Sequence, residues 1–183
     1  MMKILIVVDM QNDFISGSLG TPEAQAIVPK VKEKIEQYLK DDYYIVYTRD
    51  THFKEDYLST QEGKLLPVEH CLKDSFGWEI AEEVDYTNLA YNYSSWRIQC
   101  LNKTSFSYPF WRTFLGELTP DCKVELIGLC TDICVVSNAL VIKSLYPEVP
   151  IYVDASCCAG VTPEKHKAAL ETMKSCQIHV YND

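Results

Sequence analysis

A segment in the last third of the chain has the composition of a nucleophile site at the start of a helix. Gly128-Leu129-Cys130-Thr131-Asp132-Ile133-Cys134 follows a predicted strand and opens a predicted helix, which Thr131 or Asp132 is suited to cap. Cys134 then lies in the first helical turn, where unpaired N–H groups and the helix dipole favour a thiolate and can receive an oxyanion. Spacing alone is equally compatible with a cysteine that only packs. A Cys130–Cys134 redox pair is disfavoured because the spacing is not C-x-x-C.

A carboxylate and a lysine elsewhere in the sequence are suited to serve this sulfur. Asp9 ends an otherwise apolar strand, where a carboxylate is costly to bury unless it has a partner or a task, and there it could take the thiol proton. Asp13, a few residues later, fits an ordinary turn role better. Lys103 taken alone resembles a solvated surface lysine. If it reaches Asp9, its ammonium keeps the carboxylate ionised and adds positive potential around the sulfur.

A long polar loop carries a possible metal site. It begins with Asp50-Thr51-His52 and closes with Glu69-His70, so one carboxylate and two imidazoles can meet with coordination positions left open. This donor set suits a divalent ion, zinc first and iron or manganese as alternatives, with Glu62 as a possible fourth ligand. His166 and His179 lie in the last helix and the last strand without acidic or cysteine partners in register. We interpret both as structural.

Composition narrows the class of protein. The chain has 183 residues, enough for one domain over residues 1–183 with a continuous core. Its formal charge of −9 disfavours nucleic acid as a partner, and no apolar run approaches the roughly 20 residues of a membrane span. The first residues run straight into an apolar strand without a signal-peptide pattern, and the eight cysteines lack zinc-knuckle spacing. We therefore expect a cytoplasmic protein with most thiols reduced.

Hydrophobic periodicity predicts alternating strands and helices. Strands are predicted at residues 4–8, 43–48, 124–128, 151–153 and 178–181. Helices are predicted at residues 23–39, 108–118, 132–145 and 163–175. This order predicts an α/β fold, a three-layer αβα sandwich with a mostly parallel, doubly wound sheet.

The predicted fold explains how distant residues can meet. In a doubly wound sheet the ligand crevice lies beyond the carboxyl ends of the strands. Asp9, Asp50 and the segment 128–134 all fall at such ends. The irregular loop that follows Asp50 is long for a compact domain, and such loops are usually functional. The sequence therefore predicts one site at this edge.

Five sequence pieces, in this order, resemble the nicotinamidase/isochorismatase-like cysteine hydrolases over essentially the whole chain. They are Asp9 with Gln11-Asn12-Asp13-Phe14, Asp50-x-His52, His70-Cys71, Lys103-x-x-Phe106 and Gly128-x-x-Thr131-Asp132-x-Cys134. The resemblance implies a catalytic triad of Asp9, Lys103 and Cys134. It also implies a divalent metal held by the carboxylate and two histidines of the loop, namely Asp50, His52 and His70. A cis peptide bond between Leu129 and Cys130 is implied as well, aiming the Cys130 and Cys134 N–H groups at the oxyanion.

Nicotinamide is the leading substrate that the resemblance implies, with the metal on the pyridine nitrogen and Phe14, Leu19 and Phe106 as apolar walls. Another amidase or N-carbamoyl hydrolase of the same family is the main alternative. Isochorismate hydrolysis is disfavoured because members acting on that vinyl ether lack the cysteine. A non-catalytic or thiol-redox binding module is the alternative from a different class. Family members also commonly self-associate, and Trp78, Trp96 and Trp111 could serve an interface, although core packing is the simpler use of each.

Overall fold

A six-stranded sheet forms the centre of the computed structural model, which describes residues 2–91 and 97–183. The strands are β1 (Lys3–Val8), β2 (Tyr44–Asp50), β3 (Ile98–Lys103), β4 (Lys123–Leu129), β5 (Ile151–Ala159) and β6 (His179–Tyr181). Their order is β3-β2-β1-β4-β5-β6, and neighbouring strands run parallel. Because the chain winds outward in both directions from β1, a crevice opens between the carboxyl ends of β1 and β4.

Helices cover both faces of this sheet. They are α1 (Asn12–Ile15), α2 (Pro22–Lys40), α3 (Gln61–Leu65), α4 (Trp111–Leu115), α5 (Val136–Leu145) and α6 (Pro163–Ser175). Along β1, Leu5 and Val7 pack on the side of α2, whereas Ile6 and Val8 pack on the side of α5 and α6. Alternate residues of a strand point to opposite faces, so both faces are buried. The predicted three-layer α/β class with a doubly wound sheet is confirmed.

The helix α2 shows why its capping residue and apolar spacing predicted a helix correctly. Thr21 caps it by accepting a hydrogen bond from the Ala24 N–H at 3.0 Å, and Pro22 occupies the first turn, where its missing N–H costs nothing. Ile27, Val31 and Ile35 recur every fourth residue and are all buried. The predicted helix over residues 23–39 is therefore confirmed, with one more residue at each end.

The predicted elements and the structure differ most at β3, β5 and α4. The sequence pattern missed β3, and it stopped β5 at Val153 although that strand continues to Ala159. The helix predicted over residues 108–118 is only α4, which ends at Gly116, a residue with a positive φ of 64°. The long loop after β2 also contains a 3₁₀ turn at Tyr57–Ser59 and the short helix α3.

The two central strands approach each other closely at their carboxyl ends. Gly128 of β4 pairs with Val8 of β1 and has a φ of 114°. A Cβ at this glycine would lie 2.1 Å from the Val8 carbonyl oxygen, so no side chain fits there. This contact sets the segment after β4 beside Asp9.

The described helices and tryptophans bear on two further expectations. No helix within residues 2–91 and 97–183 has the length and apolar character needed to cross a membrane. Trp78 and Trp111 are buried, which agrees with core packing rather than an interface. Trp96 lies outside the described residues.

Candidate active site and metal centre

Three strand ends bring a carboxylate, an ammonium and a thiol together. Asp9 follows β1, Lys103 ends β3, and Cys134 lies in a π-helical turn, Thr131–Val135, that follows β4. The Lys103 Nζ lies 2.7 Å from Asp9 Oδ2 and 3.4 Å from Cys134 Sγ. All three side chains are buried, and that of Lys103 reaches past β2 to do this. Lys103 thus contacts both of the other residues that the resemblance groups with it as a triad.

Asp9 is held from one side and open on the other. Its backbone has a positive φ of 46°, and its N–H donates to the Thr48 carbonyl at 3.1 Å. The Thr48 hydroxyl donates to Asp9 Oδ1 at 2.7 Å. Apart from the ion pair with Lys103, Oδ2 makes no hydrogen bond of normal geometry to the described residues. That oxygen is the candidate proton acceptor, with the Lys103 ammonium as its charge partner.

Burial and charge set the protonation of this group. Burial raises the pKa of the Asp9 carboxyl, against the opposing charge of Lys103. Burial also raises the pKa of the Cys134 thiol well above its ordinary value; Lys103 opposes this, whereas Asp9 and Asp50 add to it. The carboxylates and the sulfur outweigh desolvation at Lys103 and keep its pKa high. The resting state therefore pairs an ammonium with a protonated thiol rather than the thiolate that a helix start alone favours.

The turn that carries Cys134 is anchored differently from the prediction. Neither Thr131 nor Asp132 caps the following helix. The Thr131 hydroxyl instead shares a 2.8 Å hydrogen bond with His166 Nδ1 of α6, and Asp132 Oδ1 accepts from the Val161 N–H at 2.9 Å. The bond between Leu129 and Cys130 is cis, as the resemblance implies. The carbonyl of Cys130 accepts hydrogen bonds from the N–H groups of residues 133 and 135, which flank Cys134.

Four side chains converge beside the triad as a possible metal site. Asp50, His52, Glu62 and His70 each offer a ligand atom, and these atoms lie within 4.8 Å of one another. The Asp50 Oδ2 is 3.1 Å from His52 Nε2 and 3.7 Å from His70 Nε2. The Glu62 Oε1 is 3.8 Å and 3.7 Å from the same two nitrogens. A mixed carboxylate and imidazole set of this kind is a common site for divalent ions.

The surrounding contacts orient these ligands. His70 Nδ1 lies 2.8 Å from the Val68 carbonyl oxygen, so an N–H there leaves the Nε2 lone pair available as a metal ligand on the side of Asp50. Gln11 holds the Asp50 backbone from both sides, accepting from its N–H at 2.7 Å and donating to its carbonyl at 2.9 Å. The other oxygen of Asp50 lies 3.4 Å from the Lys103 Nζ. One carboxylate therefore connects the imidazole pair to the triad.

The charge on Asp50 follows from these contacts. Burial opposes its ionisation, but the hydrogen bond with His52, the nearby His70 imidazole and then the Lys103 charge hold the pKa of this carboxyl below its ordinary value. The cluster thus contains a carboxylate that stays ionised despite its burial. That property suits it to a metal cation.

A small cavity, here called the inner pocket, joins the two groups. Its volume is about 160 Å³, and Asp50, Glu62, His70, Cys130 and Cys134 line its polar end. Phe14, Leu19 and Phe106, the three walls suggested from the sequence, also line it, together with Leu66, Leu129, Ile133 and Val161. Phe14 is buried, whereas Phe106 is 48% exposed. The inner pocket has the size and character for a single flat ring.

Several supporting residues were missed by sequence reasoning. Gln11 hydrogen-bonds the backbone of Asp50, and Thr48 hydrogen-bonds the carboxylate of Asp9. Asn138 on α5 hydrogen-bonds the turn that carries Cys134, here called the nucleophile turn. The Asn138 amide donates to the carbonyls of Cys134 at 2.7 Å and Phe106 at 3.1 Å. Its oxygen accepts from Trp111 Nε1 at 2.7 Å and from the N–H of residue 108 at 3.0 Å. A polar residue one turn after the cysteine was the available signal.

The family of the chain follows from a comparison of its whole length. The family model described as "Isochorismatase domain" matches residues 3–182. The chain belongs to the isochorismatase family. This membership confirms the resemblance first drawn from five short motifs.

Three proteins illustrate what this isochorismatase-family chain is similar to. The nicotinamidase of Saccharomyces cerevisiae is 27% identical over 220 residues, covering 98% of this chain and 99% of the relative. The pyrazinamidase of Pyrococcus horikoshii, crystallised in complex with zinc, is 28% identical with a TM-score of 0.77, and 99% of each chain is covered. The N-carbamoylsarcosine amidase of Thermoplasma acidophilum is 28% identical with a TM-score of 0.76, covering 98% of this chain and 95% of that one.

Proposed function

We propose that this isochorismatase-family chain is a nicotinamidase that converts nicotinamide and water to nicotinate and ammonia through a cysteine thioester. The observation that carries the proposal is the position of the Lys103 Nζ, 2.7 Å from Asp9 Oδ2 and 3.4 Å from Cys134 Sγ. A buried carboxylate, ammonium and thiol in one contact group is what nucleophilic attack on a carboxamide requires. The names of the three similar proteins, all amidases, support the same reaction class.

In the first half of the reaction, Asp9 Oδ2 takes the proton from Cys134 Sγ as the sulfur bonds to the amide carbon. The electron pair of the carbonyl moves to oxygen, and the N–H groups of Cys130 and Cys134 are the proposed oxyanion donors. The C–N bond then breaks, and the leaving nitrogen takes the proton from Asp9 and departs as ammonia. The raised pKa of Asp9 suits both steps, because it makes the carboxylate a stronger base.

In the second half, Asp9 accepts a proton from water as the water oxygen bonds to the thioester carbon. The C–S bond breaks and the sulfur recovers the proton, which releases the acid and restores the thiol. Lys103 stays protonated throughout, because its pKa is held high by Asp9, Cys134 and Asp50. Its charge stabilises the carboxylate before transfer and the thiolate during it.

Asp50, His52 and His70 would hold a divalent ion, zinc first with iron or manganese as alternatives, and Glu62 is the fourth candidate ligand. The four candidate ligand atoms fit one ion, since they lie within 4.8 Å of one another. The Nε2 atom of His70 also faces the Asp50 carboxylate. When bound, the ion would supply a Lewis acid for a ring nitrogen of the substrate. The inner pocket places this cluster and Cys134 along one cavity, as a ring bearing a carboxamide requires.

The lining of the inner pocket favours a neutral aromatic amide. Within the described part of the chain, neither lysine nor arginine lines it, and Phe14, Leu19 and Phe106 supply apolar walls. N-carbamoyl amino acids carry a carboxylate that would enter without a protein cation to pair with it. Nicotinamide carries no charge and matches the volume of about 160 Å³. These features support nicotinamide over the main alternative.

Two other functions remain as competing hypotheses with distinct signatures. N-carbamoyl amide hydrolysis is favoured by the similarity to N-carbamoylsarcosine amidase. A thiol-redox module is not favoured, because burial raises the pKa of Cys134 and raises that of Cys130 to about 12, whereas redox thiols are acidic and accessible.

All eight cysteines lie in the described residues and are free thiols, which supports our proposal that the protein acts in the reducing cytoplasm.

Ammonia release from nicotinamide, pyrazinamide and N-carbamoylsarcosine tests the proposal. We expect nicotinamide to have the highest kcat/KM and the rate to fall when a chelator removes the metal. Metal content measured before and after chelation separates loss of the ion from unfolding. A preference for N-carbamoylsarcosine would transfer the assignment to the competing hydrolase, and no ammonia release from any amide would refute the reaction class.

A further inference from the structure

The inner pocket shares lining residues with a second cavity. The second cavity, here called the outer groove, has a volume of about 540 Å³. Its lining includes Thr51, His52, Phe53, Asp56, Tyr57, Thr60, Gln61, Glu62, Leu65, Thr104, Ser105 and Phe106. Among the described residues, Glu62 and Phe106 are the two side chains that line both cavities. They form the boundary, here called the partition, between the inner pocket and a cavity about three times larger.

The backbone of Phe106 is fixed although its side chain is partly exposed. The buried amide of Asn138 donates to the Phe106 carbonyl at 3.1 Å and to the Cys134 carbonyl at 2.7 Å. The same residue therefore sets the distance between the aromatic wall and the nucleophile. The ring of Phe106 itself is 48% exposed and does not belong to either core cluster. Truncating the ring should remove the partition without creating a core cavity.

We propose that Phe106 sets the upper size limit of the substrate by closing the inner pocket against the outer groove. This inference deepens the proposed amidase function and rests on it. With the ring present, the inner pocket accepts one aromatic ring. Without it, the pocket opens toward a groove that contains the carboxylates of Asp56 and Glu62 and, among the described residues, neither lysine nor arginine. The extended ligand class is therefore an aromatic amide without negative charge that carries a second ring or a bulky substituent.

Glu62 shares the partition but is a poor place to test it. Its Oε1 lies 3.8 Å from His52 Nε2 and 3.7 Å from His70 Nε2, so a substitution would also disturb the proposed metal site. Phe53 provides the matched control. It is the same residue type, is 45% exposed, and lines the outer groove without lining the inner pocket.

The experiment compares the wild type, Phe106→Ala and Phe53→Ala on nicotinamide, 5-phenylnicotinamide and quinoline-3-carboxamide. The measured quantity is the ratio of kcat/KM for each extended amide to that for nicotinamide. We expect Phe106→Ala to raise this ratio about tenfold or more, a shift typical of relieved steric exclusion in a pocket, while Phe53→Ala leaves it unchanged. A Phe106→Trp variant should lower it below the wild-type value.

Binding measurements keep this test separate from the proposed function. In a Cys134→Ala background, calorimetry compares the Kd values of the same amides with and without Phe106→Ala. A gain in affinity for the extended amides on truncating Phe106 supports the partition even if nicotinamide is never hydrolysed, an outcome that refutes only the proposed activity. Equal ratios in all variants, or equal gains with Phe53→Ala, overturn the partition even if nicotinamide turnover is normal.

Discussion

The sheet carries two buried groups of charged residues that are built in opposite ways. The strand-end cluster consists of Asp9, Asp50, Lys103 and Cys134. The mid-sheet cluster consists of Lys34, Tyr38, Glu125, Asp154 and Tyr181, on the side of the sheet covered by α2. In the mid-sheet cluster, Lys34 bridges Asp154 at 2.8 Å and Glu125 at 3.1 Å, and Tyr38 donates to Glu125 at 2.7 Å. In the strand-end cluster one ammonium serves two carboxylates and a thiol.

The difference lies in how many partners the carboxylates have. Glu125 contacts two lysines and two tyrosines, Asp154 contacts Lys34, Ser156 and Asn182, and burial notwithstanding, these contacts hold the pKa of both carboxyls below ordinary values. Asp9 has the Thr48 hydroxyl on one oxygen and, on the other, a Lys103 ammonium shared with Asp50 and Cys134, and burial raises its pKa. A satisfied carboxylate stabilises the fold, whereas a poised one can exchange a proton. We therefore expect mutations to affect stability in one cluster and rate in the other.

Removing the sulfur should produce the largest change in activity. We expect Cys134→Ala to reduce kcat by at least about 10³-fold with metal content unchanged, because no other group can form the thioester. Cys158→Ala is the matched control, since both cysteines are 4% exposed and pack in the same core cluster. Steady-state kinetics and metal analysis of the two variants make the comparison. Full activity in Cys134→Ala would show that the thiol mechanism is wrong.

Neutralising the base should have the next largest effect. Asp9→Asn keeps the shape of the side chain but cannot take the thiol proton, so we expect kcat to fall roughly 10²- to 10³-fold, within the range for loss of a general base. In the wild type, Asp9 must be ionised to act, and burial raises its pKa despite Lys103. The kcat/KM profile should therefore fall as the pH drops through a pKa above the ordinary Asp value of about 3.9. An acid limb that persists in Asp9→Asn would assign it to another group.

Disrupting the mid-sheet cluster should change stability and leave the rate unaltered. Glu125→Gln removes a buried charge that Lys34, Tyr38 and Tyr181 satisfy, and we expect a loss of about 1–3 kcal/mol in the free energy of unfolding. Because the folded-state pKa of Glu125 is lowered, its contribution is fully present above the unfolded value of about 4.3 and is lost as the pH falls through the folded value.

Urea unfolding at neutral and acidic pH measures this effect. The gap between the wild type and Glu125→Gln should be widest at pH 7 and should narrow at acidic pH, with kcat equal in the two proteins. Glu117→Gln is the exposed control, because the Glu117 side chain is 84% exposed and pairs with Arg112 at the surface. A large fall in kcat for Glu125→Gln would remove the distinction between the clusters.

The sequence predicted the central strands β1 and β4 but missed the edge strand β3. Residues 4–8 form a continuous apolar run, and residues 124–128 are apolar except for Glu125, because both faces of a central parallel strand are buried. The strand β3, Ile98–Lys103, lies at the sheet edge, contains Gln99 and Asn102, and is only partly buried. Its mixed pattern resembles a loop. Lys103 was therefore placed by motif resemblance and not by periodicity.

The residues proposed to take part in the reaction could be predicted from the sequence. The residues that position them through hydrogen bonds could not. Asp9, Asp50 and Cys134 follow predicted strands, so the topology alone predicts that they converge. Gln11 acts through the backbone of residue 50, 39 positions away, and through the carbonyl of Trp78, 67 positions away. Such partners depend on where loops pack, which local propensity does not encode. The mid-sheet cluster was missed for the same reason.

Loss of the hydrogen bond that anchors the turn carrying Cys134 should have the smallest effect on kcat. It separates a residue that positions this turn from the residues that react. The Thr131 hydroxyl and His166 Nδ1 share a 2.8 Å hydrogen bond, and burial lowers the pKa of His166 below its ordinary value, so the imidazole is neutral near pH 7. We expect His166→Gln to lower kcat roughly 2- to 10-fold, which corresponds to the net value of one hydrogen bond, with KM unchanged.

Because His166 touches the turn and not the reacting atoms, its effect should depend on Thr131. In a double-mutant cycle, Thr131→Val should cost about as much as His166→Gln, and the double variant should cost no more than either alone. The pH profile should keep the acid limb of Asp9 in all three variants. Additive losses would mean that the two residues act separately, and a shifted acid limb would mean that His166 takes part in proton transfer instead of positioning the turn.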